Sequence, residues 1–132
     1  GTTTADVKPI LTASEIIALQ KRVREGTLSD HIARYAIAIV RQTRVGGDGV
    51  PEFVSDQLAW GAGPRAVQYL IRGAKARAVL TGNYMVSLDD IEKVAEPVLF
   101  HRILTNFHAR SEGVTSSEVV SRLITEAKKE KR

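Results

Sequence analysis

At Thr12 with Glu15, Ser87 with Asp90, and Thr115 with Glu118, a hydroxyl residue stands three places before an acid and just ahead of an apolar stripe. In such a capping box the hydroxyl accepts from the third helical amide while the acid reaches back to the cap's own amide. The arrangement starts helices and little else, so a chain that carries three of them is committed to helices over most of its length.

The stripes that follow have helical period. Behind Thr12 come Ile16, Leu19, Gln20 and Val23, closed by Gly26. Ser29 opens a second helix to about Thr43, with Ile32, Ala36, Ile39 and Val40 facing inward and Tyr35 at the edge of that stripe. Gly63-Pro64 opens the strongest helix, with Ala66, Val67, Leu70, Ile71, Ala74 and Ala78 buried, because proline suits the first helical position. Gly82 stands where a left-handed cap is expected. Leu88, Ile91, Val94 and Ala95 mark a fourth helix, and Pro97 is expected to break or restart it. Val98, Leu99, Ile103 and Leu104 prolong the apolar stretch, and Gly113 marks a turn. Val119, Val120, Leu123, Ile124 and Ala127 line the last helix.

Gly46 to Trp60 reads as a loop, the most mobile internal stretch, pinned by Phe53 or Trp60. Short extended pieces are expected only near Val50–Val54 and Tyr84–Val86. The fold class is all-α, a small bundle of about five helices. Residues 1–11 read as a linker, 12–128 as one helical domain and 129–132 as a charged tail. There is no internal repeat, and a start at Gly1-Thr2-Thr3-Thr4 without Met suggests a boundary set inside a longer chain.

Composition removes several functions. The 132 residues hold no cysteine, which excludes disulfides, cysteine-zinc sites and a thiol nucleophile. Apolar residues make up 43% but aromatics only 5%, so the core is aliphatic and suits helix-on-helix packing. No apolar run reaches membrane-spanning length, Gly1 to Asp6 have neither the basic nor the hydrophobic region of a signal peptide, and a cytoplasmic location is expected. The net charge of +4 favours polyanions without naming one.

Catalytic groups are scarce. The run Gly46 to Gly49 lacks the Lys-Ser/Thr of a phosphate loop and follows no strand. His31, His101 and His108 form no i, i+4 pair and gain no acid, so no metal site is expected. Asp89 and Asp90 fall in a helix's first turn, where acids serve the dipole. The segment Gly61-Ala62-Gly63-Pro64-Arg65-Ala66 differs, since it sets an arginine at the positive end of a helix dipole. Gln68, Arg72 and Lys75 continue a polar stripe from it. Two readings stand at this point: a solvated helix face, or a cation and free amides aimed at an anion.

These residues resemble the C-terminal lid of MoxR-family AAA+ ATPases. That lid's second-sensor signature, Gly-x-Ser-Pro-Arg-Ala, matches Gly61 to Ala66 with Gly63 in place of the serine. Gly82-Asn83-Tyr84-Met85-Val86, Ser87 to Asp90, Val98-Leu99-Phe100-His101-Arg102 and Gln42-Thr43-Arg44 resemble further lid motifs in the family's order. The likeness runs over most of residues 9–125.

The resemblance implies a lid that packs over ATP and Mg2+ bound mainly by a separate N-terminal AAA+ core. Arg65 would be the catalytic second-sensor arginine, with Gly61, Gly63 and Pro64 shaping the approach to nucleotide. It implies a chaperone-like ATPase working as a ring, often a hexamer, with neighbouring subunits and a von Willebrand A domain protein as partners. The domain alone is expected to be a helical monomer that neither holds nor hydrolyses ATP. His101 and Arg102 are expected to act structurally, tying the break at Pro97 to a neighbouring helix. The competing readings are a basic helical nucleic-acid-binding module, disfavoured by the lack of helix-turn-helix spacing and aromatic platforms, and a stand-alone protein-interaction bundle.

Overall fold

A computed structural model describes residues 12–25 and 28–131. Seven helices occur among them: α1 (Ala13–Glu25), α2 (Asp30–Arg41), α3 (Glu52–Gln57), α4 (Arg65–Leu80), α5 (Leu88–Leu99), α6 (Phe107–Ser111) and α7 (Ser116–Lys131). Two short strands, β1 (Leu58–Trp60) and β2 (Leu104–Thr105), pair antiparallel with an irregularity between Leu58 and Trp60. The expected all-α bundle is what forms, with α3 and α6 as the helices beyond the expected five. The linker proposed for residues 1–11 and the stop at Gly26 lie outside the described residues.

The capping boxes start their helices as expected. Glu15 N–H donates to Thr12 Oγ1 at 3.2 Å and Thr12 N–H to Glu15 Oε1 at 3.2 Å. Ser87 and Asp90 close the second box reciprocally. Thr115 Oγ1 accepts from Glu118 N–H at 3.1 Å, a cap made in one direction among the described contacts. Ser29 sits at the start of α2 in extended conformation, but its hydroxyl pairs with His31 Nδ1 rather than with a helical amide.

Helices α4 and α5 are the most extensively packed pair, with α2 and α7 closing the core around them and α1 lying along α4. Ala66, Leu70, Ala74 and Ala78 are buried on α4, Ile91, Ala95 and Leu99 on α5, and Val119, Val120, Leu123, Ile124 and Ala127 on α7. At Gly73 the two central helices lie close together, and a Cβ there would rest on Val94 at 3.4 Å, an ordinary contact distance. At the end of α4, Gly82 takes φ +82°, and Asn83 N–H reaches Ala78 O at 2.7 Å while Gly82 N–H reaches Val79 O at 3.0 Å. This is the double C-terminal cap that a glycine in left-handed conformation permits.

Several expectations need correction. Gly46 to Trp60 is not a single loop: Pro51 turns the chain into α3, and Val54 (0% exposed) and Leu58 (2%) enter the core. They anchor the segment together with Phe53, which packs against the core beneath the Arg122 guanidinium, while the Trp60 side chain is 59% exposed and the residue is tied in by its strand pairing with Leu104. The extended pieces are at β1 and β2. Val50–Val54 is a turn running into α3, and Tyr84–Val86 holds one isolated bridge residue, Met85.

Pro97 does not break its helix. It lies on the exposed side of the last turn of α5, where losing one N–H bond is tolerated and the helix runs on to Leu99. Tyr35 is not at the stripe's edge but buried, its hydroxyl donating to Glu92 Oε2 at 2.7 Å across the α2–α5 contact. Ile16 is exposed rather than inward; among the described elements, α4 is the one that packs extensively against α1. Helix α7 continues through the expected tail as far as Lys131.

Candidate functional site

The arginine singled out from sequence is the first residue of α4. Pro64 already has helical dihedrals, φ −59° and ψ −29°, so its fixed ring presets the entry to the helix. The first turn closes tightly, with Ala66 N–H donating to Gly63 O at 3.0 Å and Val67 N–H to Pro64 O at 3.2 Å. No side chain caps this terminus and no acid lies in its first turn. The Arg65 side chain is exposed, and among the described residues it has neither a hydrogen-bond nor an ion-pair partner. A cation at the positive end of a helix dipole, uncapped and uncompensated, can receive an anion without giving up a partner.

The loop ahead of Arg65 is far from free. Gly61 lies so close to Thr43 that a Cβ there would stand 2.0 Å from the Thr43 carbonyl oxygen. Only glycine fits this approach. Ala62 is buried, and its N–H donates to Thr43 Oγ1 at 2.9 Å. The same hydroxyl donates to Val40 O at 2.6 Å, at the C-terminal end of α2. Gly63 is the opposite case: it is exposed, and a Cβ there would meet nothing within 4 Å. The four site residues thus lie together, Gly61 by necessity of packing and Gly63 by no such necessity. Thr43 is the residue that sequence reasoning missed. It was visible only as the middle of the Gln42-Thr43-Arg44 triplet.

One helical turn beyond Arg65, on the same face, stands Tyr69. The Arg102 guanidinium lies 4.4 Å from the centre of its ring. Arg102 Nη1 also donates to Val98 O and lies 2.6 Å from His101 Nε2. The structural role expected of His101 and Arg102 is therefore visible in Arg102, which ties the C-terminal end of α5 to α4. The tie does not involve a break at Pro97. Gln68 and Arg72 are exposed, as a solvated stripe requires, and Lys75 is half-buried.

The donor set fits phosphate: an exposed guanidinium with a forked array of N–H groups at a helix N-terminus. It does not fit a metal, since among the described residues no three His, Asp or Glu side chains come together. No helix among those residues is long and apolar enough to cross a membrane.

Residues 52–123 match the AAA lid domain family, which takes in Arg65 and every helix from α3 to α6. The chain belongs to that family. One of its relatives is a MoxR chaperone. It is 26% identical to the chaperone MoxR1 of Mycobacterium tuberculosis over 94% of this chain and 33% of that protein. It is 30% identical to the uncharacterised protein YeaC of Bacillus subtilis over 92% of this chain and 35% of that protein. A crystal structure from Cytophaga hutchinsonii, provisionally described as an ATPase, superposes with a TM-score of 0.80 at 28% identity, over 90% of this chain and 36% of that one. The chain spans about a third of the length of the curated relatives it matches.

Proposed function

We propose that this lid serves a MoxR-type AAA+ ATPase and that Arg65 is its second-sensor arginine. The observation that carries this reading is the state of the α4 N-terminus: an exposed arginine without a partner among the described residues, on a helix start without cap or acid, behind a loop packed rigidly on α2. A helix stabilised for its own sake would place an acid there. Arg65 would hold the terminal phosphate of ATP bound by a neighbouring AAA+ core, and hold it most strongly as charge develops on the departing group. Pro64 stiffens the approach, Gly63 leaves it open, and Gly61 fixes its origin. Magnesium accompanying the nucleotide would neutralise phosphate charge, with ligands from outside the residues described. Assembly into a ring such as a hexamer, chaperone-like work in the cytoplasm and a von Willebrand A domain partner belong to the same reading, through its MoxR relative.

The test is steady-state ATP turnover and nucleotide affinity in the ATPase that carries this lid. Arg65→Ala should leave the domain folded, because the side chain is exposed. Turnover should fall about 10- to 10⁴-fold, at or below the roughly 10³- to 10⁵-fold that an arginine finger contributes to phosphoryl transfer, with a much smaller change in nucleotide affinity. Arg65→Lys should rescue poorly, since an ammonium cannot present a planar fork. Near-normal turnover in Arg65→Ala with an intact assembly would reduce Arg65 to a surface residue.

A further inference from the structure

Three polar or charged side chains are buried among the described residues: Thr43, Asp90 and Thr105. Asp90 is accounted for by starting α5 and Thr105 belongs to the β1–β2 pair. Thr43 starts no helix. It lies just past the end of α2, 1% exposed, and everything it touches through polar atoms leads to the segment before Arg65 or back to α2.

We propose that Thr43 is the positioning residue of the Arg65 sensor, fixing the first turn of α4 to the end of α2 through one hydroxyl and one carbonyl. The inference rests on the sensor reading of Arg65. A threonine hydroxyl has one proton and two lone pairs. Here the proton goes to Val40 O at 2.6 Å, so only lone pairs face Ala62, and its N–H donates into them at 2.9 Å. The polarity of the joint is therefore set by α2 and cannot reverse. The Thr43 carbonyl side lies against Gly61 with no room for a Cβ. Of two successive residues of the loop, Ala62 is thus hydrogen-bonded by the Thr43 side chain and Gly61 is packed against its backbone.

From Ala62 to Arg65 little slack remains. Gly63 is free, but Pro64 has a ring-fixed φ of −59°, and Ala66 beyond it is buried. A rotation of α2 about its end would carry the α4 N-terminus with it. The arrangement makes the end of α2 and the start of α4 one rigid joint, with Arg65 at its exposed tip. Positioning at this scale matters, because misplacing a reacting or charge-stabilising group by about 1 Å can cost about 10²-fold in rate.

The experiment is a double-mutant cycle on turnover in the ATPase that carries this lid. Thr43→Val keeps the shape and removes the hydroxyl. It should lower kcat about 10-fold, within that positional range, and leave KM for ATP within about twofold. Thr43→Ser restores the hydroxyl and should recover most of the rate. In an Arg65→Ala background, Thr43→Val should have no further effect on kcat, which a merely structural role would not produce. Tyr35→Phe is the control: it removes a hydrogen bond between α2 and α5 away from this joint and should leave kcat unchanged. If Thr43→Val does not yield folded protein, Thr43→Ala carries the same test, since it removes the hydroxyl bonded to Val40 O and Ala62 N–H and adds no bulk.

The proposal is overturned if Thr43→Val turns over ATP like wild type, if its loss is the same with and without Arg65, or if Tyr35→Phe lowers kcat equally. Any of these would leave the sensor assignment standing. Normal turnover in Arg65→Ala alone overturns the sensor assignment itself, and the proposal with it.

Discussion

Helices α4 and α5 are each other's most extensive packing partners, and they begin in opposite ways. The start of α5 obeys every rule for a helix N-terminus. Ser87 Oγ accepts from Asp90 N–H, Asp90 Oδ2 accepts from Ser87 N–H at 2.8 Å, and two acids lie in the first turn. Asp90 is buried and also takes Arg77 Nη1 at 2.6 Å, which binds α5 to α4. A turn further on, Glu92 takes the Tyr35 hydroxyl from α2. The start of α4 obeys only the rule for proline. It has no cap, no acid and an arginine where the dipole is positive. One terminus is built for stability, while the other forgoes it, as the proposed sensor role would require.

The contrast breaks first, if it breaks at all, at Asp90. Asp90→Ala removes the capping box and leaves Arg77 with only the exposed Asp89 carboxylate, 3.3 Å away. Loss of a cap costs about 1 kcal/mol and loss of one partner of a buried pair about 3–5, scaled down here because Arg77 is partly exposed. We expect about 2–4 kcal/mol in all, measured by urea unfolding. A loss no larger than that from surface substitutions would show that α5 is no better anchored than α4.

The second test concerns the Tyr35–Glu92 bond. Burial first, then the hydrogen bond to the Glu92 carboxylate and its charge, push the Tyr35 hydroxyl to hold its proton well above the usual tyrosine range. An unfolded tyrosine titrates near about pH 10. The folded state therefore binds the proton more tightly than the unfolded chain. This contribution to stability is complete below about pH 10 and is lost as pH rises beyond it. Tyr35→Phe should cost about 1 kcal/mol near neutrality and flatten that alkaline loss. Denaturant midpoints followed from neutral pH to about pH 11 would check both. An unchanged alkaline slope in Tyr35→Phe would show that the bond plays no part.

The bundle was legible in the sequence because its long helices announce themselves by stripe, and α1, α5 and α7 by cap as well. Ala66, Leu70, Ala74 and Ala78 were readable from spacing alone, and all four are buried. What was hidden lacked the length to show a period. Val54 and Leu58 anchor a six-residue helix and a three-residue strand, too short to reveal a face. Helix α6 is shorter still, and its start depends on Asn106, whose side chain accepts from Ala109 N–H and donates to Asp56 O from a distant part of the chain. Arg65 could be found because its charge violates a local rule. Thr43 could not, because a threonine after a helix is ordinary until Ala62 is seen to bond it. Pro97 misled for the converse reason: the local rule is sound, but the residue lies in the last turn, where little ladder remains to lose.

The smallest expected effect sharpens the comparison by making α4 begin more as α5 does. Gly63 precedes Pro64, and a residue before proline is pushed toward extended conformation, which is what an N-cap adopts. Gly63 has no positive φ, and a Cβ added there meets nothing within 4 Å. Gly63→Ser should therefore fit without strain, its hydroxyl placed to accept from an amide of the first turn. Serine gains a few tenths of a kcal/mol over glycine as a cap, and losing glycine's freedom in the unfolded chain adds a similar amount. We expect a gain of about 0.5–1 kcal/mol, visible as a rise of about 2–4 °C in Tm. Paired with Arg65→Ala, which takes a cation off the positive end of the dipole, the gain should increase. A Gly63→Ser variant no more stable than wild type would mean that the first turn of α4 is already satisfied by its packing on Thr43 and Val40. The uncapped start would then be a by-product of that joint rather than stability given up for a site.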